Sequence, residues 1–132
     1  MSANNRTRIR LLYVEDHADT RELVFSILRD SAFEITAVST FAEGLSLARA
    51  RRFDVYLLDN KLPDGVGITL CREIRKFDAE TPVIFCSGYT DGVHQSTARL
   101  AGAQAFITKP FDAYDLLSVI ESVTQKSGRR GD

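Results

Sequence analysis

Three stretches of this chain are apolar without interruption and no longer than a β-strand: "IRLLYV" at 9–14, "VYLL" at 55–58 and "VIFC" at 83–86. Alternating polar and apolar residues would leave one sheet face to water, whereas unbroken runs suit strands covered on both faces, as in a parallel sheet. Two weaker runs, "EITAV" at 34–38 and "AFIT" at 105–108, bring the set to five, and the partial alternation of "EITAV" marks an edge strand.

Between the runs the apolar period changes to that of a helix. Thr20, Leu23, Val24, Ile27, Leu28 and Ser31 follow helical spacing, with Asp19 and Glu22 placed for a capping box. Phe41, Leu45 and Ala48 mark a second helix, Leu70, Cys71, Ile74 and Phe77 a third, and Leu116, Leu117, Ile120 and Val123 a last one after Pro110. The segment "DGVHQSTARLA" at 91–101 has only Val93, Leu100 and a few alanines for an apolar face, so it reads as a poorly anchored helix. Five βα units in succession predict an α/β chain with a doubly wound, five-stranded parallel sheet and right-handed crossovers, in flavodoxin-like order 2-1-3-4-5. The expected domain is 9–125, between a flexible start at 1–8 and a flexible tail at 126–132.

The 132 residues suffice for one domain, and 17 basic against 18 acidic residues give no case for nucleic acid or an anionic membrane surface. No apolar stretch approaches the roughly 20 residues that span a bilayer, and "MSANNRTR" is polar rather than signal-like, so the expectation is a cytoplasmic protein. Cys71 and Cys86 are far apart and sit in apolar patterns, as reduced core residues do.

In open α/β sheets the site lies beyond the carboxyl ends of the strands. The residues there are Glu15 and Asp16 after the first run, Asp59 after the third, Ser87 after the fourth and Lys109 after the fifth. Any one polar residue at a strand end is unremarkable, but these are complementary. Three clustered carboxylates repel one another unless a cation holds them, and an all-oxygen donor set favours a hard ion such as Mg²⁺ (or Mn²⁺). The charge of that ion and of Lys109 balances the three acids. Attack of Asp59 on a phosphoryl group would exchange its own charge for those on the phosphoryl oxygens, to which Ser87 can donate and Lys109 can pair. The chemistry suggested is phosphoryl transfer to an aspartate.

The ordered set "VED" at 14–16, "DNKLPDGVG" from Asp59, "CSG" around Ser87 and "TKPF" from Thr108 resembles the motifs of two-component response-regulator receiver domains, the CheY-like family, over about residues 9–123. The resemblance implies that Asp59 is the phosphoacceptor, charged by a phosphohistidine on a histidine kinase or histidine phosphotransfer protein. It implies Asp16 as a direct metal ligand, Glu15 as a direct or water-mediated one and the backbone carbonyl of Lys61 as another. Ser87 matches the switch hydroxyl, Lys109 the family lysine, and Phe106 the aromatic that turns inward; Lys109-Pro110 would be a cis peptide. From the residues alone, Phe106 fits a core aromatic equally well. A domain of this kind assists its own phosphorylation and dephosphorylation without being a conventional enzyme. Its signal commonly passes through the fourth helix, fifth strand and fifth helix, here around Val93, Arg99, Phe106 and Tyr114, to a downstream protein or an output domain.

Some positions depart from the family pattern. Glu15 replaces the usual first Asp; Lys61 places a cation beside the phosphoacceptor and can modulate the phosphoryl lifetime. Gly88 stands where Ala is usual, with Tyr89 next. "SGY" resembles a subset of often single-domain receivers, and Gly88 frees the backbone, suggesting a mobile fourth helix. Met1 reads as a natural start, leaving a stand-alone receiver or a piece of a larger regulator.

Other classes fit less well. A pseudo-receiver binding module is disfavoured by the presence of Asp59, Asp16, Ser87 and Lys109. A haloacid-dehalogenase-type phosphatase needs an acid where Lys61 stands. A dinucleotide fingerprint from Gly65 and Gly67 fails at Leu70. A triad of Ser87, His94 and Asp91 lacks a nucleophile elbow, and His17 is read as a solvated loop residue.

Overall fold

The computed structural model describes residues 8–29, 32–88 and 94–128. Tyr89, the 91–93 stretch of the expected fourth helix, and most of both expected flexible ends lie outside them. The elements are β1 (Ile9–Val14), α1 (Ala18–Leu28), β2 (Phe33–Val38), α2 (Phe41–Ala50), β3 (Val55–Asp59), β4 (Lys61–Leu62), β5 (Gly65–Val66), α3 (Gly67–Arg75), β6 (Val83–Gly88), α4 (Gln95–Ala101), β7 (Ala105–Lys109) and α5 (Ala113–Gly128).

The main sheet is parallel, in order β2-β1-β3-β6-β7. With the small antiparallel β4-β5 ribbon set aside, this is the expected flavodoxin-like order, and "EITAV" is at an edge. The continuous runs are covered on both faces, as their pattern requires. Leu12, Tyr56, Leu58 and Phe85 join a core with α2, α3 and α4, while Leu11, Tyr13, Leu57 and Ile84 join one with α1 and α5. Cys71 and Cys86 are both buried.

Several helix details differ from expectation. Asp19 and Glu22 form no capping box; α1 is capped by His17, without a side-chain bond, and Asp19 falls inside its first turn. A reciprocal cap stands instead on α2, where Thr40 Oγ1 accepts from Glu43 N at 3.1 Å and Glu43 Oε1 accepts from Ser39 N at 3.3 Å. Leu23 and Leu117 lie at the margins of their apolar stripes and are exposed, and Phe77 falls beyond the end of α3, where Arg49 covers its ring. On α4 only Ala98 and Ala101 are buried; Leu100 is 86% exposed. The helix is anchored by two methyl groups rather than by its leucine. Gly88 continues β6 opposite Lys109, and its φ is not positive, so the freedom expected of its backbone is not used for a left-handed turn. α5 runs on through Gly128.

No described helix is long and apolar enough to cross a membrane.

Candidate functional site

Strand register brings the carboxyl ends level. Val14 pairs with Leu58, Asp59 with Cys86, Ser87 with Thr108 and Gly88 with Lys109. Glu15 and Asp59 therefore follow neighbouring strands at the same height, and Lys109 reaches them from β7. Its Nζ lies 2.7 Å from Asp59 Oδ1 and 3.0 Å from Glu15 Oε1. Sequence-distant residues thus meet at one ammonium group.

Burial raises the stakes of that contact. Glu15 is 0% and Asp59 2% exposed, and removing carboxylates from water is costly unless they are paired. Burial alone would lower the Lys109 pKa, but the hydrogen bonds and charges of Asp59 and Glu15 outweigh it and hold the ammonium above the ordinary lysine range. Tyr13 OH donates to Glu15 Oε1 at 3.3 Å, and burial, reinforced by the Glu15 charge, pushes that phenol well above its ordinary value. Arg21 Nη1 donates to the Glu15 carbonyl at 2.8 Å, tying the loop after β1 to α1.

The loop after β3 is held just as closely. Gly67 N donates to Asn60 O at 2.8 Å, and a Cβ at Gly67 would run into the Asp59 carbonyl oxygen. Glycine there permits close backbone approach rather than a phosphate cradle. A Cβ at Gly65 would meet the Phe41 ring at 2.7 Å. Asp64 accepts from Phe41 N at 2.7 Å and Ala42 N at 3.1 Å; these amides hold its carboxyl below the usual range, and the loop is thereby fastened to the start of α2. Lys61 is exposed on β4.

Ser87 is buried, with Oγ donating to Gly88 O at 3.2 Å. Phe106 is half-buried and stacks on Phe85, with ring centroids 6.1 Å apart. Lys109-Pro110 is cis, as expected. Arg99 and Tyr114 are exposed.

One donor atom from each of Glu15, Asp16 and His17 lies within 4.8 Å of the others. Asp16 Oδ1 is enclosed and lacks a hydrogen-bond partner among the described residues. An enclosed carboxylate oxygen that makes no hydrogen bond, with the His17 ring nitrogen at 3.4 Å and further carboxylates beside it, fits a divalent cation. His17 is the member sequence reasoning left out. It is exposed, as expected of a loop residue, yet its ring nitrogen lies among the carboxylates, and only its adjacency to Asp16 hinted at that. A cavity of about 590 Å³ lined by Arg49, Arg51, Phe53 and Phe77 opens at the opposite end of the sheet and has no part in this cluster.

A doubly wound parallel sheet with an acidic crevice at its carboxyl edge and a lysine bridging two buried carboxylates defines the CheY-like class. Residues 11–121 match the model of the response regulator receiver domain, and the chain belongs to that family. It is 37% identical over 121 residues to the transcriptional regulatory protein CseB of Streptomyces coelicolor, covering 92% of this chain and 51% of that protein. To DltR of Streptococcus agalactiae it is 31% identical over 119 residues, or 90% and 53% of the two chains. The chain thus spans about half the length of these curated relatives. The crystal structure of a CheY-like receiver domain protein from Methanospirillum hungatei superposes with a TM-score of 0.87 at 29% identity, covering 95% of this chain and 100% of that one. A receiver domain is a signalling domain rather than a conventional enzyme.

Proposed function

We propose that this receiver accepts a phosphoryl group from a phosphohistidine onto Asp59, in the presence of Mg²⁺ or Mn²⁺, and thereby switches a protein-interaction surface. The observation that carries this reading is the convergence of Lys109 on the buried carboxylates of Asp59 and Glu15 at 2.7 and 3.0 Å. Asp16, Asp59 and the Lys61 carbonyl would hold the ion, with Glu15 beside it. Such an ion supplies positive charge against the crowded carboxylates and the incoming phosphoryl oxygens.

An Asp59 oxygen forms the new O–P bond as the N–P bond of the phosphohistidine breaks, and the imidazole leaves with that electron pair. The rigid β3 backbone and the Gly67–Asn60 bond keep the nucleophile in place before the donor arrives. The ammonium of Lys109, already fully charged, pairs with a phosphoryl oxygen without a proton transfer. Ser87 turns its hydroxyl from the Gly88 carbonyl toward another phosphoryl oxygen. The space this opens lets Phe106 leave its half-buried stack and turn inward, altering the surface that includes Arg99 and Tyr114. Lys61, exposed beside the site, modulates the phosphoryl lifetime, and Tyr89 is proposed for the same part.

The partners proposed are a histidine kinase or phosphotransfer protein upstream and a downstream protein or appended output domain, in the cytoplasm. CseB and DltR are transcriptional regulatory proteins, which supports an output step in those proteins. Incubation with a small-molecule phosphodonor and Mg²⁺ tests the central claim. Intact-mass measurement should show one added phosphoryl group per chain, absent from Asp59→Asn. An unmodified wild-type chain would mark a pseudo-receiver, and sustained release of phosphate from added phosphoesters would mark a phosphatase.

A further inference from the structure

We infer that His17 is a nitrogen ligand of the ion held by the acidic pocket and biases that pocket toward Mn²⁺ or Zn²⁺ over Mg²⁺. The inference rests on the reading that the pocket holds a divalent ion. His17 Nδ1 lies 3.2 Å from Glu15 Oε2 and 3.4 Å from Asp16 Oδ1. Two neighbouring ligands about 2.1 Å from one ion are about 3.0 Å apart in an octahedron and about 3.4 Å apart in a tetrahedron. Both separations from Nδ1 fall in that range, and the three donors lie within 4.8 Å of one another.

The ring is held there by the backbone. His17 N donates to Glu15 Oε2 at 3.2 Å, and Arg21 fixes the Glu15 carbonyl. Although His17 is the N-cap of α1, its side chain makes no capping bond, so the imidazole has no part in starting the helix. With the proton on Nε2, the Nδ1 lone pair would face two carboxylates, which only a cation between them makes favourable. With the proton on Nδ1, the ring donates to Glu15 instead. The side chain is 70% exposed, which leaves the approach open to a hydrated ion.

The selectivity follows from ligand chemistry. Mg²⁺ prefers oxygen donors and gives up its waters reluctantly, whereas Mn²⁺ and, more strongly, Zn²⁺ accept imidazole. Substituting His17 should therefore weaken the nitrogen-accepting ions selectively and leave Mg²⁺ nearly as before.

The test uses the full chain loaded with Mn²⁺ alone or Mg²⁺ alone. Pulsed electron paramagnetic resonance of the Mn²⁺ form should show ¹⁴N modulation from a bound imidazole, lost in His17→Asn and retained in His94→Asn. Calorimetry of His17→Asn should show Mn²⁺ affinity lowered about tenfold and Mg²⁺ affinity changed less than twofold. Asparagine is a good N-cap residue and preserves the start of α1; His17→Gln, checked for native circular dichroism, serves as a second variant. Bound Mn²⁺ without ¹⁴N modulation in the wild type, or equal losses for both ions in the variant, would overturn the role of His17 and leave the acidic pocket standing. Failure of the wild type to bind either ion would overturn the metal pocket itself.

Discussion

At the residue scale the decisive side chain is Lys109, because two buried carboxylates depend on it. Lys109→Met keeps most of the stem packing but removes the charge between Glu15 and Asp59. Leaving buried charges uncompensated costs about 3 kcal/mol or more, so the metal-free variant should show a denaturation midpoint lowered to match. The sign of the pH dependence follows from the raised lysine pKa. Stability from a group whose folded pKa is raised is fully present below its unfolded value, about 10.4, and is lost only as pH rises through the higher folded value. The gap between wild type and variant should thus stay flat from about pH 7 to 10; a gap that shrinks steadily across that window would mean that Lys109 is not the compensating charge. Asp59, Glu15 and Lys109 were legible in the sequence because each directly follows or ends an apolar run, and sheet register converts that position into proximity. His17 was not legible, since the direction of a ring one residue past a strand-end carboxylate depends on loop backbone that no periodicity encodes. The close approach of Gly67 to Asp59 was equally hidden, because it depends on where two backbone segments cross.

At the scale of elements, the five strands were readable because continuous apolar runs of strand length leave few alternatives, and pairing added only a residue or two to most of them. The helices were readable as helices, but their margins were not. Leu23, Leu117 and Phe77 satisfy the spacing, yet burial is decided by the angle at which each helix meets the sheet and by where it ends. The fourth helix shows the cost of a weak stripe: its packing is confined to Ala98 and Ala101, so a neighbouring element holds its end. Arg75 of α3 donates to the Gly102 carbonyl from Nε at 3.1 Å and from Nη2 at 2.8 Å, and to Gln104 Oε1 at 2.9 Å. Gly102, at φ 112°, closes α4 in the left-handed region and leaves room for that guanidinium. Arg75→Met should release this clamp. Hydrogen exchange at residues 98–104 should quicken by about tenfold, the equivalent of one or two hydrogen bonds, with little change in the strands. Uniform loss of protection across the sheet would show instead that α4 and the core open together.

For the whole molecule, the two apolar clusters on opposite sheet faces account for the fold, while the polar site sits at one edge and opposes it. Glu15, Asp16 and Asp59 bring three negative charges to a crevice where Lys109 supplies one positive charge. A cation that binds the folded pocket and not the unfolded chain must therefore stabilise the entire domain, because folding is what assembles the pocket. Linkage gives the size: at a free concentration 100 times the dissociation constant, about 2.7 kcal/mol, continuing to rise with the logarithm of concentration. For a domain of this length that corresponds to a melting temperature raised by roughly 10 °C. Titration with Mg²⁺ should trace that curve, and chelation should reverse it. Asp16→Asn should flatten it, because the enclosed Asp16 oxygen without a hydrogen-bond partner is the atom best explained by a cation. The same variant should melt no lower than the wild type without metal, since it removes one of three repelling charges. A metal-dependent rise that persists in Asp16→Asn would place the ion elsewhere, and the coupling between folding and the site would then run through a different set of carboxylates.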